Sequence, residues 1–235
     1  MVKKKTNVDV WFERETQHKR EALENASRYF DENDNLTVNT LEAIYGKESS
    51  FGTQQKKRGI DDAAGHFQFE KPTAKEYNLT ASKNNDQRFD IDYASSAAAR
   101  YLKDLNSIFS KKTSLSKNLK STPVKSKSKR KKFVLAAYNA GQGRIARAQS
   151  LAEQAGKNPQ KWNDVKKFLE AAGATKKKTK EICEYVDLIL RYEAEFAEKS
   201  IADKRVKNKK GKKPVKRCAS GHWVTIDDRP VFICD

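Results

Sequence analysis

No run of this chain approaches the ~20 consecutive apolar residues that cross a bilayer, so no transmembrane segment is expected. The opening MVKKKTNVDVWFERE has the charges of a secretory leader but lacks its apolar core, so no signal peptide is expected. Cysteine is scarce: Cys183, Cys218 and Cys234 form an odd set without zinc-like spacing, which excludes a cysteine-ligated zinc site of the usual spacing. The three histidines stand apart, so neither a metal site nor a cofactor is indicated. Hydrophobic residues make up only 37% of the chain against 34% charged, so part of it is solvated polar sequence and not core. No internal repeat is visible.

Acidic residues are missing from two stretches. Residues 110–132 hold nine Lys and one Arg, and residues 204–217 hold seven Lys and two Arg, with no Asp or Glu in either. Together they carry +19, so the remainder of a chain of net charge +18 sums to about −1. The basicity belongs to two segments and favours polyanions, either nucleic acid or anionic cell-surface polymers. The runs are of low complexity with little aromatic interleaving and no groove-reading motif, which argues against nucleic acid as the main partner.

The 235 residues suffice for one sizeable core and an appendage. Residues 8–30 read as a charged helix with Trp11, Phe12, Leu23, Tyr29 and Phe30 as its apolar contacts. Leu41, Ile44 and Tyr45 recur at helical spacing, with Thr37 or Asn39 available as a cap. Pro72 suits the first turn of another helix. Residues 91–108 form an Ala-rich buried helix with Tyr101, Leu102 and Leu105 on its packing face. Residues 110–132 cannot bury enough apolar surface to offset chain entropy and are expected to be disordered. Helices resume at 133–138, 144–155, 162–171 and 180–200.

The closing HWVTIDDRPVFI alternates around an Asp-Asp turn and predicts a β-hairpin. A two-residue turn at Asp227 and Asp228 sets Cys234 opposite Gly221 and Trp223 opposite Phe232. A Cys218–Cys234 disulfide is the alternative, and that register does not favour it. The expected organisation is an N-terminal charged helical segment at 1–35, a helical domain at 36–200, a basic linker at 201–217 and the hairpin at 218–235.

Glu48 lies at i+4 from Ile44 and i+7 from Leu41, so a carboxylate shares the apolar face of its helix. Ser49, Ser50 and Gly52 then end the helix. Burial and the negative end of the helix dipole both push such a carboxyl towards protonation, as a general acid near neutral pH requires. By itself it reads more readily as a helix-edge Glu paired with a Lys or Arg, since structural ion pairs also perturb carboxylates.

Three further pieces follow in order: Gly65-His66-Phe67-Gln68 with Thr73-Ala74 beyond, then Ala137-Tyr138-Asn139-Ala140-Gly141, then Glu181 four residues before Tyr185-Val186. Together with Glu48-Ser49-Ser50-Phe51 they resemble the catalytic domain of soluble lytic transglycosylases and goose-type lysozymes. That family has an E-S-x-F helix end, a G-L-M-Q segment followed by T-A, an A-Y-N-A-G motif and an E-T-x-x-Y-V helix. The resemblance covers roughly residues 36–200. It implies a mainly α, lysozyme-like domain carrying the basic disordered insertion and the C-terminal β-hairpin, and a catalytic acid at Glu48. It further implies substrate contacts at Phe67, Gln68, Tyr138, Asn139, Glu181 and Tyr185. His66-Phe67 replaces Leu-Met, Ile182 replaces Thr, and Ala94 and Ala98 stand where the family often has Asn and Gly.

The activity so implied is cleavage of peptidoglycan between N-acetylmuramic acid and N-acetylglucosamine. One Glu serves as acid and then base, and anhydromuramoyl ends form. The hydrolytic alternative, a goose-type lysozyme, would use Asp61, Asp62 or Glu70 to position water. A third reading is a basic nucleic-acid-binding or wall-binding structural protein without activity. The expected partners are glycan strands and, through the Lys-rich segments, anionic wall polymers. A wall enzyme without a leader would arrive by lysis, by a secretion machine or aboard a phage particle; the closing GHWVTIDDRPVFI resembles short terminal hairpins of phage and mobile-element proteins, which implies a phage or prophage origin.

Overall fold

The computed structural model describes residues 4–55, 62–209, 221–226 and 229–234. The chain gathers into two compact units, one built from residues 1–28, 37–99 and 191–235, the other from residues 29–36 and 100–190.

In the first unit Thr6 caps α1 (Asn7–Arg14), its hydroxyl accepting from the Asp9 N–H while the Asp9 carboxylate accepts from the Thr6 N–H. Lys199, hydrogen-bonded to that carboxylate, helps hold Asp9 down to about 2. Helix α2 (Gln17–Ser27) starts afresh on Thr16. The single helix expected over 8–30 is therefore two, because Glu15 takes extended backbone between them. Helix α3 (Val38–Ser49) follows, with Thr37 as its cap and Leu41, Ile44 and Tyr45 fully buried. Helix α4 (Lys71–Glu76) has Pro in its first turn. Helix α5 (Ile91–Ser110) gives its early turns to this unit, with Ala94, Ala97, Ala98 and Ala99 fully buried.

In the second unit Leu102, Leu105 and Phe109 of α5 are fully buried. Phe133 meets Phe109 at 6.0 Å and Trp162 at 5.6 Å between ring centroids. The stretch at 110–132, expected to be disordered, is ordered. Strands β1 (Ser114–Ser116) and β2 (Leu119–Lys120) pair antiparallel, and α6 (Lys127–Ala140) begins inside the basic run. The Ser121 hydroxyl donates to the Ile108 carbonyl at 2.7 Å and accepts from the Thr113 N–H at 3.0 Å. Val124 is buried and its N–H bonds the Phe109 carbonyl at 2.8 Å. Arg130 reaches Asn106, which bonds Asp34, and the carbonyls of Val124 and Asn33. Polar anchors and one apolar peg fix this backbone while Lys111, Lys112, Lys117 and Lys120 stay exposed.

Helix α7 (Gln142–Gln154) follows α6 after Gly141. Its Gln149 is fully buried and bonds both backbone groups of Thr122 and the Pro159 carbonyl. The helix expected over 162–171 stops early, with α8 (Trp162–Val165) passing into a 3₁₀ turn at Lys166–Phe168. Helix α9 (Lys176–Lys209) is longer than the 180–200 expected and runs through the first half of the supposed linker. Its residues to Leu190 belong to the second unit and those from Arg191 to the first. Strands β3 (Gly221–Ile226) and β4 (Arg229–Cys234) pair with Gly221 opposite Cys234 and Trp223 opposite Phe232, the register expected from a two-residue turn. Cys218 lies outside the described residues.

Candidate active site

Glu48 is the penultimate residue of α3 and is half-buried. The next residue makes the site. Ser49 is fully buried, and its hydroxyl donates to the His66 carbonyl at 2.7 Å while accepting from the Gly52 N–H at 3.1 Å. The Glu-Ser pair therefore divides its labour: the carboxylate stands at the helix end, and the hydroxyl pins the Gly-His-Phe-Gln segment to that end.

The pinned segment is held from its other side as well. Gly65 has φ +78, and a Cβ there would fall 1.9 Å from the Arg88 carbonyl oxygen, so only glycine fits. The His66 N–H bonds that same carbonyl at 2.9 Å. Arg88, 2% exposed, pairs with Asp86 at 2.8 Å and donates to the carbonyls of Asp62 and Phe69 at 2.9 and 3.0 Å. The His66 ring lies 3.0 Å from the Phe89 carbonyl through Nε2 and 2.9 Å from Gln55 Nε2 through Nδ1. The carbonyl can only accept, which assigns the proton to Nε2 and leaves Nδ1 to accept from Gln55. Burial lowers His66 to about 4, so the ring is neutral and structural near pH 7.

Phe67 is 1% exposed, with its ring 5.4 Å from that of Tyr45. It was expected to line a sugar cleft; the structure puts the ring in the core beneath Glu48's helix, because Tyr45 offers it an apolar face. Gln68 is half-buried with φ +51, and its side-chain amide donates to the Gly65 carbonyl at 2.8 Å, closing the turn. Asp62 and Glu70 are exposed, Glu70 standing at the cap of α4. Asp61 lies outside the described residues.

In the second unit Tyr138 is half-buried near the end of α6, its ring 5.3 Å from that of Tyr101. The Asn139 amide donates to Glu181 Oε1 at 3.1 Å, and Lys178 reaches the same oxygen at 2.7 Å. Asn139 Oδ1 is buried without a hydrogen-bond partner, leaving a strong acceptor available to a donor. Tyr185, expected to face a cleft, is 2% exposed and serves the core. The structure thus brings Glu48, Phe67 and Gln68 together in one unit, and Tyr138, Asn139 and Glu181 in the other.

The strongly buried carboxyl of α3 is Glu42, which sequence reasoning passed over in favour of Glu48. Glu42 is 5% exposed and is pushed up to about 9, first by burial and then by the charge of Glu15. The Glu15 side chain, 1% exposed, accepts from Arg20 at 2.6 and 3.0 Å through one oxygen. Glu15 Oε1 and Glu42 Oε2 are buried without another hydrogen-bond partner, and one proton shared between the neighbouring carboxyl groups would satisfy both. Glu42 carries the proton and Glu15 the charge, since the guanidinium stabilises the ionised form of the group it touches. Every position of LEAIYG is buried, so Glu42 has no solvent side to take, and the polar residue type gives no sign of that in the sequence. Among the described residues no three His, Cys, Asp or Glu side chains gather as a metal site.

A mainly helical domain, with a Glu-Ser helix end pinned to a Gly-x-x-Gln turn, is of the lysozyme-like class. The chain belongs to the transglycosylase SLT domain family, whose pattern matches residues 26–161. It is similar to the membrane-bound lytic murein transglycosylase F of Shewanella loihica, 33% identical over 130 residues, which are 52% of this chain and 24% of that protein. The namesake from Shewanella baltica is 30% identical over 167 residues, 67% of this chain and 31% of its own. That of Marinobacter nauticus is 57% identical over 37 residues, 16% of this chain and 7% of its own. The chain thus spans about a quarter to a third of the length of the Shewanella relatives. Among the described residues no helix is long and apolar enough to cross a membrane.

Proposed function

We propose that this chain is a lytic transglycosylase that cleaves peptidoglycan between N-acetylmuramic acid and N-acetylglucosamine, with Glu48 as its acid and then its base. The observation that carries the reading is the Ser49–His66 bond, which joins the Glu-Ser helix end to the Gly-His-Phe-Gln turn 17 residues on. Two motifs that are unremarkable apart become one local structure with a carboxylate at its edge.

In this mechanism Glu48 protonates the glycosidic oxygen, and the substrate's N-acetyl group stabilises the oxocarbenium-like centre. The carboxylate left behind takes the proton of the muramoyl C6 hydroxyl as that oxygen closes the anhydro ring. The proton count balances without water, so a second carboxylate of the kind glycosidases use is not needed. In the first unit Gln68 joins the segment pinned to the end of Glu48's helix; in the second, Asn139 and Glu181 form a polar pair suited to an N-acetyl amide, and Tyr138 offers a hydroxyl suited to a sugar. Phe67 and Tyr185 support these groups from the core. The exposed lysines of β1–β2 would hold the enzyme on anionic wall polymers. Delivery aboard a phage particle is part of the same reading, and proteomics of purified particles tests it.

Mass spectrometry of digested peptidoglycan decides the chemistry. Anhydromuramoyl ends are expected. Reducing ends would make the chain a lysozyme, with Asp61, Asp62 or Glu70 positioning water, and no release would make it a binding module. Glu48→Gln is expected to lower turnover by about 10²–10⁴-fold while sacculus binding persists, the usual contribution of a general acid.

A further inference from the structure

The turn that follows Glu48 is an uncommon piece of backbone. Ser50, Phe51 and Gly52 have φ of +52, +58 and +82, three left-handed residues in succession, two of them not glycine. That conformation is unfavourable for the two that are not glycine and persists only where surrounding structure holds it.

The holders are residues that lie outside the matched family span of 26–161. From α1, Trp11 Nε1 donates to Ser50 Oγ at 2.9 Å. Arg14 donates to Ser50 Oγ at 2.6 Å, to the Ser50 carbonyl at 3.1 Å and to Thr53 Oγ1 at 3.0 Å. From α2, Lys19 donates to the Phe51 carbonyl at 2.8 Å. The docking is close: a Cβ on Gly46 would fall 2.3 Å from the Trp11 ring, so α3 carries a notch for that indole. Trp11 also meets Tyr192 edge-on, with ring centroids 4.8 Å apart. Two cations at the C-terminal end of α3 also oppose the negative end of its dipole, next to Glu48.

We propose that Trp11, Arg14 and Lys19 are positioning residues, a clamp supplied by the N-terminal helices that fixes the left-handed turn at residues 50–52 and thereby the placement of Glu48. The inference rests on the reading of Glu48 as the acid, and it assigns residues 4–28 a part in turnover. Side chains on two short helices set the geometry of a third, and a small misplacement of a reacting group lowers rate far more than affinity.

The test compares Trp11→Phe combined with Arg14→Gln against Val8→Ala, which loosens a fully buried contact of α1 without touching the turn. The full chain is used, with solubilised uncrosslinked glycan strands for kinetics. The double variant is expected to lose ~10- to 100-fold in kcat with KM within twofold, and Arg14→Lys to recover most of the single Arg14→Gln loss. Amide exchange of residues 49–53 should accelerate in the double variant and stay unchanged in Val8→Ala. Equal kcat losses at matched loss of Tm would reduce the clamp to ordinary stability and overturn it. Unchanged exchange at 49–53 would overturn it even in a preparation without turnover. Glu48→Gln run alongside separates the two readings: full activity there removes Glu48 as the acid, whereas an inactive Glu48→Gln beside a fully active double variant removes the clamp alone.

Discussion

At the end of α3 three successive residues adopt positive φ, and Trp11, Arg14 and Lys19 converge on them from two other helices. At the end of α6 only Gly141 does so, with φ 82 and ψ 139, and a Cβ there would meet nothing within 4 Å. Both ends bear motif residues, Glu48 in one case and Tyr138 and Asn139 in the other. The first is shaped by its neighbours; the second is shaped by one glycine. A terminus with successive left-handed residues that are not glycine is held by distant side chains, whereas one that turns on a glycine needs only a local conformational permission.

The largest test of that contrast is to place a methyl group on each side. Gly65→Ala, in the turn pinned to α3, forces a Cβ to 1.9 Å from the Arg88 carbonyl oxygen and should destabilise the chain by more than ~4 kcal/mol, read as loss of the folding transition. Gly141→Ala faces open space, so only its backbone conformation resists. Its expected cost of about 1–3 kcal/mol should appear as a modest drop in chemical-denaturation midpoint. Comparable losses at the two sites would break the comparison.

Between these in size stands the buried pair behind α3. Glu42 is raised from 4.5 in the unfolded chain to about 9 in the fold. The fold therefore keeps a proton that the unfolded chain releases above pH 4.5. Stability is fully present below that pH and is lost as pH climbs through the window to about 9, at up to ~1.4 kcal/mol per pH unit. Glu42→Gln keeps a donor for Glu15 and removes the titration, so it should flatten this slope and raise Tm at pH 8. An unchanged slope would show that Glu42 does not hold the proton. His66 works in the opposite direction and lower down. Its folded value of about 4 against 6.5 means that stability is present above 6.5 and lost as pH falls towards 4, a limb that His66→Leu should remove.

The smallest expected effect on stability belongs to the second unit's basic flap. Replacing Lys111, Lys112, Lys117 and Lys120 by Gln removes exposed charges and should leave Tm within about 1 °C, since surface substitutions away from special features usually change little. Binding to sacculi, followed by pelleting, should weaken and lose part of its salt dependence. A large fall in Tm would mean that the lysines, and not the anchors Ser121, Val124 and Arg130, order the segment.

Much of this molecule follows from neighbours in the chain. The spacing of Leu41, Ile44 and Tyr45 marks a helix, and the run from Ser49 to Gly52 marks where it stops, because these are i,i+4 and turn effects. The hairpin register follows from the length of its turn, which fixes every pair from Gly221–Cys234 inwards. What the tertiary structure alone decided is which polar groups meet. Ser49 finds His66 17 residues on, Trp11 finds Ser50 39 residues on, and Arg130 finds Asn106 24 residues away. The order of the basic segment and the burial of Phe67, Tyr185 and Glu42 belong to the same class. Each depends on the desolvation of one group by another far along the chain, and no local pattern encodes that distance.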